Sequence, residues 1–237
     1  MIDFDNLVKK KELFLNDKGL HDAHLDVLTK VLQKSKVLDD FYLRNNQINL
    51  ADGKFTDALA HNCTFRVLNL YEGQISNEGS KRLADAPKVN DTFQQLHLDG
   101  NQIGDDGPKR VAGTFVVNGM LQMRVINGNK IGDKGVESLA VALKYDKTLQ
   151  QIHLGGNHDG DVGDKSLAGA LVSNEALQMI DLVDNNISDE GAVSLADSFM
   201  VNQCLHKIEL GGNRIGGKGA GKNSDALKCY CVVENLD

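Results

Sequence analysis

One segment pattern recurs along the chain at a nearly constant interval, and this repetition constrains the fold more than any other feature. Apolar residues occupy positions 1, 4, 6 and 11 of the segment, and Asn usually occupies position 9. A period of 27 or 28 residues indicates stacked units, each of which buries its apolar face against its neighbours. A degraded copy begins at Leu121, and the clearest copies begin at Leu38, Phe65, Phe93, Leu149, Leu177 and Leu205.

Each unit combines a short strand with an amphipathic helix. Apolar and polar residues alternate in its first half, as in Leu96-His97-Leu98, and this period of two predicts a strand. Apolar residues recur at helical spacing in its second half, as in the segment that begins at Ile131. We expect an acidic or amide side chain to cap the first N–H groups of its own helix at Asn77, Asp105, Asp133, Asp164 and Asp189.

Parallel strands that are joined by right-handed helical crossovers stack in one direction. Strands lie about 4.8 Å apart whereas packed helices need roughly 8–10 Å, so the stack must curve with its strands inside. The sequence therefore predicts an α/β right-handed solenoid, or horseshoe, with a parallel sheet on the concave face and helices on the convex face. The Asn at position 9 lies at a bend, where its amide can bond backbone groups of the turn and of the adjacent repeat.

The whole chain, residues 1–237, is predicted to be a single domain. Residues 1–37 form an N-terminal cap and a degenerate repeat. Residues 38–204 form six repeats, and residues 205–237 form the last repeat with a degraded C-terminal end.

Arg124 departs from the pattern because it occupies the buried position 4 of its repeat. An unpaired buried charge is very costly. We therefore expect a one-residue bulge that places Arg124 on the surface and turns Met120, Met123 and Val125 inward.

The segments LDDFYLRNNQI and FQQLHLDGNQI, each followed by a helical segment, resemble the ribonuclease-inhibitor-like subfamily of leucine-rich repeats. That subfamily includes the repeat regions of NOD-like receptors, of Ran GTPase-activating proteins and of the tropomodulin C-terminal domain. The resemblance covers about residues 10–237 and implies the curved solenoid. It leaves the function open, because the matching residues are the buried ones that every member shares.

Strand positions 3 and 5 and turn positions 7 and 8 face the concave side. We therefore expect the residues at these positions, which lie between the buried ones, to determine what the protein binds. They combine apolar and amide side chains with more acidic than basic groups, which suits a basic or mixed-charge protein surface. The predicted protein-binding residues are Phe14, Tyr42, Arg44, Val67, Tyr71, Gln95, His97, Met123, Gln151, His153, Met179, Asp181, Lys207 and Glu209.

The sequence therefore predicts a non-catalytic scaffold that binds a protein on its concave face. Three alternatives follow from the resemblance: a module that assists a small GTPase, as in Ran activators; a ligand sensor, as in NOD-like receptors; and a cytoskeletal binder similar to tropomodulin. A fourth is that the exposed Met and Val residues are ordinary surface residues without a role.

Catalytic and cofactor chemistry finds little support in the sequence. Positions 3, 5 and 7 contain no Ser or Cys nucleophile, and His97 and His153 lie two repeats apart, so we interpret both as exposed side chains. The segment 216–223 imitates a phosphate-binding loop but ends in Asn223 instead of Ser or Thr. The acidic loop 158–164 lacks the later Glu of a calcium loop, so we interpret it as a solvated turn. We predict no cofactor, no metal and no small-molecule substrate.

The net charge of -7 argues against nucleic-acid or anionic-membrane partners, which attract a clustered basic excess. No apolar run reaches the roughly 20 residues that span a bilayer, and the N-terminus lacks the apolar core of a signal peptide. The four Cys residues are unsuited to pairing, which indicates a reducing environment. We therefore expect a cytoplasmic protein.

Overall fold

A computed structural model of the chain describes residues 4–51, 53–85, 90, 92–109 and 123–228, without the side chains of 4, 5, 85, 123, 124 and 225–228. Within these residues one parallel sheet contains eight strands in chain order. The strands are β1 (Glu12–Phe14), β2 (Asp40–Tyr42), β3 (Val67–Asn69), β4 (Gln95–His97), β5 (Met123–Val125), β6 (Gln151–His153), β7 (Met179–Asp181) and β8 (Lys207–Glu209).

Helices alternate with these strands, and this alternation confirms the predicted α/β solenoid. A 3₁₀ turn, Asp22–His24, precedes the second helix. None of the helices in the described ranges is long and apolar enough to cross a membrane. The helices are Phe4–Leu7, Leu25–Lys34, Lys54–His61, Asn77–Asp85, Asp133–Leu143, Asp161–Leu171, Asp189–Val201 and Gly217–Lys228, and residues 106–109 are helical as well.

The core lies between the sheet and the helices and follows the repeat pattern. In the repeat that begins at Phe65, the residues at positions 1, 4, 6 and 11 are completely buried: Phe65, Leu68, Leu70 and Ile75. Each such side chain contributes roughly 1.5–3 kcal/mol through burial. Most of the described repeats bury these positions, and the strands pair in one register along the whole sheet.

The prediction of a bulge at Arg124 is wrong. Arg124 pairs in regular register with Leu96 on one side and Ile152 on the other. Val125 is half-buried and stays in line with the histidines of β4 and β6, and Ile126 is buried as position 6 requires. Pairing on both sides of β5 fixes its register, because an extra residue would break two ladders at once. Met120 lies outside the described residues.

Asn at position 9 bonds the turns of adjacent repeats together, as the sequence predicted. Asn101 Nδ2 donates to the carbonyl oxygens of Leu70 and Leu98, at 2.9 Å each. Its Oδ1 accepts from the backbone N–H groups of Gly73 at 3.0 Å and Ile75 at 2.7 Å in the preceding repeat. The same pattern recurs at Asn46, Asn129, Asn157, Asn185 and Asn213.

A second row of amides, which the sequence analysis missed, joins the helix C-termini. Asn174 Nδ2 donates to the carbonyl oxygens of Leu143 and Asp146 in the preceding repeat, and its Oδ1 accepts from its own turn at Leu177 N. The signal was present in the sequence as a second set of Asn residues with the repeat's spacing: Asn62, Asn90, Asn174 and Asn202.

The acidic residues at the helix starts cap the next helix instead of their own. Asp133 Oδ1 accepts from Gly160 N at 2.8 Å and Gly163 N at 3.1 Å, which belong to the following repeat. Parallel stacking brings each carboxylate beside the next N-terminus, where a negative charge is stabilised. In that following repeat the equivalent carboxylate is Asp161, whose Oδ1 accepts a hydrogen bond from Ser188 N. The prediction that Asp164 caps a helix is therefore wrong, because Asp164 lies within the helix Asp161–Leu171.

Asp159 and Asp164 are completely buried, so the prediction of a solvated turn is wrong for these two residues. Asp159 replaces the Ile of position 11, and its carboxyl group lies within hydrogen-bonding reach of that of Asp164, so a proton on one group can be shared with the other. Burial raises the pKa of Asp159 to about 7. Burial and the adjacent charge of Asp159 raise the pKa of Asp164 to about 9. Gly163 leaves room for this pair, because a Cβ there would overlap Asp159 Oδ1.

This pair predicts that the protein loses stability as the pH rises. Both pKa values exceed the ordinary value of 3.8, so the native state retains protons that the unfolded chain has released. The free energy of unfolding should fall between about pH 4 and the raised pKa values near 7 and 9, by about 1.4 kcal/mol per pH unit for each retained proton. Urea unfolding from pH 5 to pH 8 measures this slope.

The substitution Asp159→Ile restores the residue that other repeats carry, so it should flatten the slope and raise the stability at pH 8. The exposed Asp57→Asn serves as the control and should leave the slope unchanged. A slope in the Asp159→Ile variant equal to that of the unsubstituted protein would contradict the assignment.

Asn101→Ala should destabilise the stack by about 3 kcal/mol or more, because it leaves several buried backbone groups without partners. The adjacent Gln102 is exposed, so Gln102→Ala should change the free energy of unfolding by less than about 0.5 kcal/mol. Equal midpoints for the two variants in urea unfolding would argue against the role of the amide.

Candidate functional site: the concave face

The register of the sheet brings the predicted binding residues together on one face. Positions 3 and 5 of each strand flank a buried position 4, so their side chains form two columns across the sheet. Phe14 and Arg44 are exposed, Asp181 is buried, and the side chain of Met123 is not described. The half-buried members are Tyr42, Val67, Tyr71, Gln95, His97, Gln151, His153, Met179, Lys207 and Glu209.

Aromatic side chains dominate the N-terminal end of this face. The ring of Phe14 stacks on that of Tyr42, with centroids 4.8 Å apart and planes inclined by 6°. The guanidinium carbon of Arg44 lies 4.7 Å from the centroid of the Tyr71 ring. Parallel strand register produces both pairs, because it places equivalent positions of adjacent repeats side by side.

Two His-Asp pairs occupy the centre of the face, and the histidines are half-buried, not fully exposed as the sequence suggested. His153 Nδ1 lies 3.4 Å from Asp181 Oδ2, and His153 Nε2 is buried without a partner among the described residues. Burial lowers the pKa of His97, and the nearby Asp99 carboxylate offsets part of that effect. Burial also raises the pKa of Asp99, which accepts a hydrogen bond from the backbone of Asn127.

The C-terminal end of the face contains an open depression of about 510 Å³ lined by Gln151, Gln178, Met179, His206 and Lys207. Gln178 and His206 occupy position 2, just before their strands, and were not among the predicted binding residues. The repeat numbering could have identified them, because position 2 directly precedes the strand residue at position 3.

The acidic side chains at the two ends of the face have different surroundings. Glu12 is exposed and Asp40 is half-buried at the N-terminal end, whereas Asp181 on β7 is buried. At the other end, Lys207 Nζ lies 2.8 Å from Glu209 Oε1, so these charges offset each other. The acidic rim that the sequence predicted is therefore uneven.

The described residues contain no group of three or more His, Cys, Asp or Glu side chains that could hold a metal ion. The phosphate-loop imitation forms the start of the last helix, where Gly216 N and Gly219 N donate to Asp189 Oδ1 at 2.7 and 2.8 Å. A protein carboxylate therefore occupies the place that a phosphate would take. Cys63 and Cys204 are free thiols, and Cys229 and Cys231 lie outside the described residues.

Comparisons with known proteins agree with this architecture. The family model described as "Leucine Rich repeat" matches residues 89–109, 125–140, 173–196 and 201–222. A sequence search of curated proteins finds no match.

Two solved structures have a similar fold. The leiomodin-1 actin-binding site 2 aligns with a TM-score of 0.55 and 15% identity, over 64% of this chain and 87% of that chain. The tropomodulin C-terminal domain of Caenorhabditis elegans aligns with a TM-score of 0.53 and 8% identity, over 65% of this chain and 92% of that chain. The four matched segments contain leucine-rich repeats, and the two similar structures agree with the α/β solenoid fold.

The half-buried environment predicts that His97 titrates below the ordinary value of 6.5 for histidine. The substitution Asp99→Asn should lower the midpoint further, because it removes the carboxylate that favours the imidazolium ion while it keeps an oxygen for Asn127 N. Imidazole NMR signals followed between pH 4 and pH 9 measure both midpoints. A His97 midpoint above 6.5, or one that Asp99→Asn raises, would contradict this account of the site.

Proposed function

We propose that this protein is a non-catalytic interaction module that binds a partner protein on its concave face. The observation that carries the proposal is the alignment of exposed and half-buried apolar, aromatic and polar side chains in two columns across the parallel sheet. Interfaces combine such anchors with a polar rim. The uneven acidity supports a partner with a basic or mixed-charge surface.

The two rows of asparagine amides hold the sheet that carries these columns, one in the turns after the strands and one in the turns before them. A surface that is rigid before binding loses little conformational entropy when a partner docks. The free thiols of Cys63 and Cys204 fit a reducing compartment, which supports binding in the cytoplasm.

Substitutions on the concave face should reduce partner recovery by at least about tenfold. Met179→Glu places a charge in the C-terminal depression, and Tyr42→Ala removes an aromatic anchor at the other end. Val141→Glu is the matched control, because Val141 is 65% exposed on a helix of the opposite face. Quantitative affinity capture from the source cells measures the recovery. Equal recovery by all three variants would refute the concave-face proposal.

A second candidate is a cytoskeletal function, supported by the fold similarity to the actin-binding site 2 of leiomodin-1. Because the sequence identity is only 15%, the comparison suggests the hypothesis but assigns no actin-binding role to any residue of this chain. Two measurements test this candidate directly: co-sedimentation with filamentous actin and binding to monomeric actin. Each compares the unsubstituted protein with the Met179→Glu variant. Absence of binding to both forms of actin would remove it.

The Ran-activator and NOD-like-receptor alternatives rest on the subfamily resemblance alone. A stimulation assay with a panel of small GTPases separates the first of them, since a scaffold without a catalytic role leaves the rate of GTP hydrolysis unchanged.

A further inference from the structure

The N-terminal end of the concave face contains what we call the aromatic corner, formed by Glu12, Phe14, Asp40 and Tyr42. Phe14 lies on β1, the first strand of the sheet, and its side chain stacks on Tyr42. Phe14 remains 61% exposed, which is unusual for a phenylalanine. One ring face is covered by Tyr42, so much of this exposed surface is available to another molecule.

Two carboxylates lie on the same face, two residues before the rings. Glu12 pairs with Asp40 in the strand register, as Phe14 pairs with Tyr42. Tyr42 Oη lies 3.5 Å from Asp40 Oδ2, which joins the acidic and aromatic halves of the corner. Burial and the charges of Glu12 and Asp39 raise the pKa of Asp40, as expected where negative charge is poorly compensated.

Two of the nearby cations have partners outside the aromatic corner. Lys11 Nζ lies 3.2 Å from Asp39 Oδ2, so its ion pair is with Asp39. Arg44 is placed over the ring of Tyr71. Within the described part of the chain, Glu12 makes no ion pair.

The protein itself shows how such a surface takes a cation. Arg44 stacks on Tyr71 at 4.7 Å in the turns that follow β2 and β3. A guanidinium group lies favourably on an aromatic face because the ring carries negative electrostatic potential there. The exposed face of Phe14 offers the same kind of surface, with two carboxylates beside it.

We propose that the aromatic corner binds an arginine side chain of a basic segment in the partner protein, with the guanidinium over Phe14 and within reach of Glu12 and Asp40. The inference rests on the proposed function, because it specifies the partner chemistry at one end of the concave face. Charge complementarity selects a basic segment over an acidic or purely apolar one.

The test uses the full chain and two short peptides that differ only in charge. The sequence Gly-Arg-Gly-Arg-Gly, blocked at both ends, is compared with the same peptide containing citrulline, a neutral analogue of arginine. We expect the arginine peptide to shift the backbone NMR signals of β1 and β2 and to bind at least about fivefold more tightly than the citrulline peptide. Raising the salt concentration should reduce this difference.

Variants separate the two parts of the corner. Phe14→Leu keeps an apolar side chain without the aromatic face, and Glu12→Gln keeps the shape without the charge. Each should weaken arginine-peptide binding by about three- to tenfold and leave the thermal midpoint close to that of the unsubstituted protein, because both residues are exposed. Val141→Ala on the opposite face should have no effect on peptide binding.

Equal affinity for the two peptides, or peptide-induced shifts confined to strands other than β1 and β2, would overturn the aromatic-corner proposal. In that case partner capture that Met179→Glu abolishes would leave the concave-face function intact. Capture that survives both Met179→Glu and Tyr42→Ala would instead remove the proposed function itself.

Discussion

Buried backbone groups in the turns of the stack are the constraint on which the rest of this structure depends. A chain that bends after every strand leaves N–H and C=O groups inside the protein, and each one without a partner costs about 1–3 kcal/mol. Asn101 satisfies groups of its own turn and of the preceding repeat at once. A single repeat therefore lacks some of its hydrogen bonds until the next one docks, which makes the repeats cooperative.

The same dependence between neighbours explains the other features of the fold. Carboxylates such as Asp133 cap the next helix, so helix starts are coupled along the convex side just as turns are coupled inside. Where a repeat carries a different residue at a shared position, the departure has a physical consequence. Asp159 in place of Ile puts an ionisable group in the core and makes that part of the stack sensitive to pH.

Much of the fold could be predicted from the sequence, because burial at positions 1, 4, 6 and 11 repeats with a fixed period. The columns of the candidate site followed from the same numbering. The partner of each capping carboxylate could not be predicted, since Asp133 and Gly160 lie 27 residues apart and meet only through the stacking. The partial burial of His153 could not be predicted either, because its partner Asp181 lies 28 residues away on the next strand and meets it only through the stacking.

The row of Asn side chains at position 9 is interrupted at one repeat. Hydrogen exchange of the backbone N–H groups at that repeat tests the role of the row most directly. Gly73 stands at position 9, where the other repeats have Asn, so Ile48 N in the preceding repeat lacks the amide oxygen that would accept from it. The equivalent groups Ile75 N and Ile131 N donate to Asn101 Oδ1 and Asn157 Oδ1. All three isoleucines are completely buried, so burial alone predicts equal protection. We predict that the amide of Ile48 exchanges at least about tenfold faster than those of Ile75 and Ile131 under native conditions. Equal protection at the three amides would contradict the claim that bonds between repeats hold the stack together.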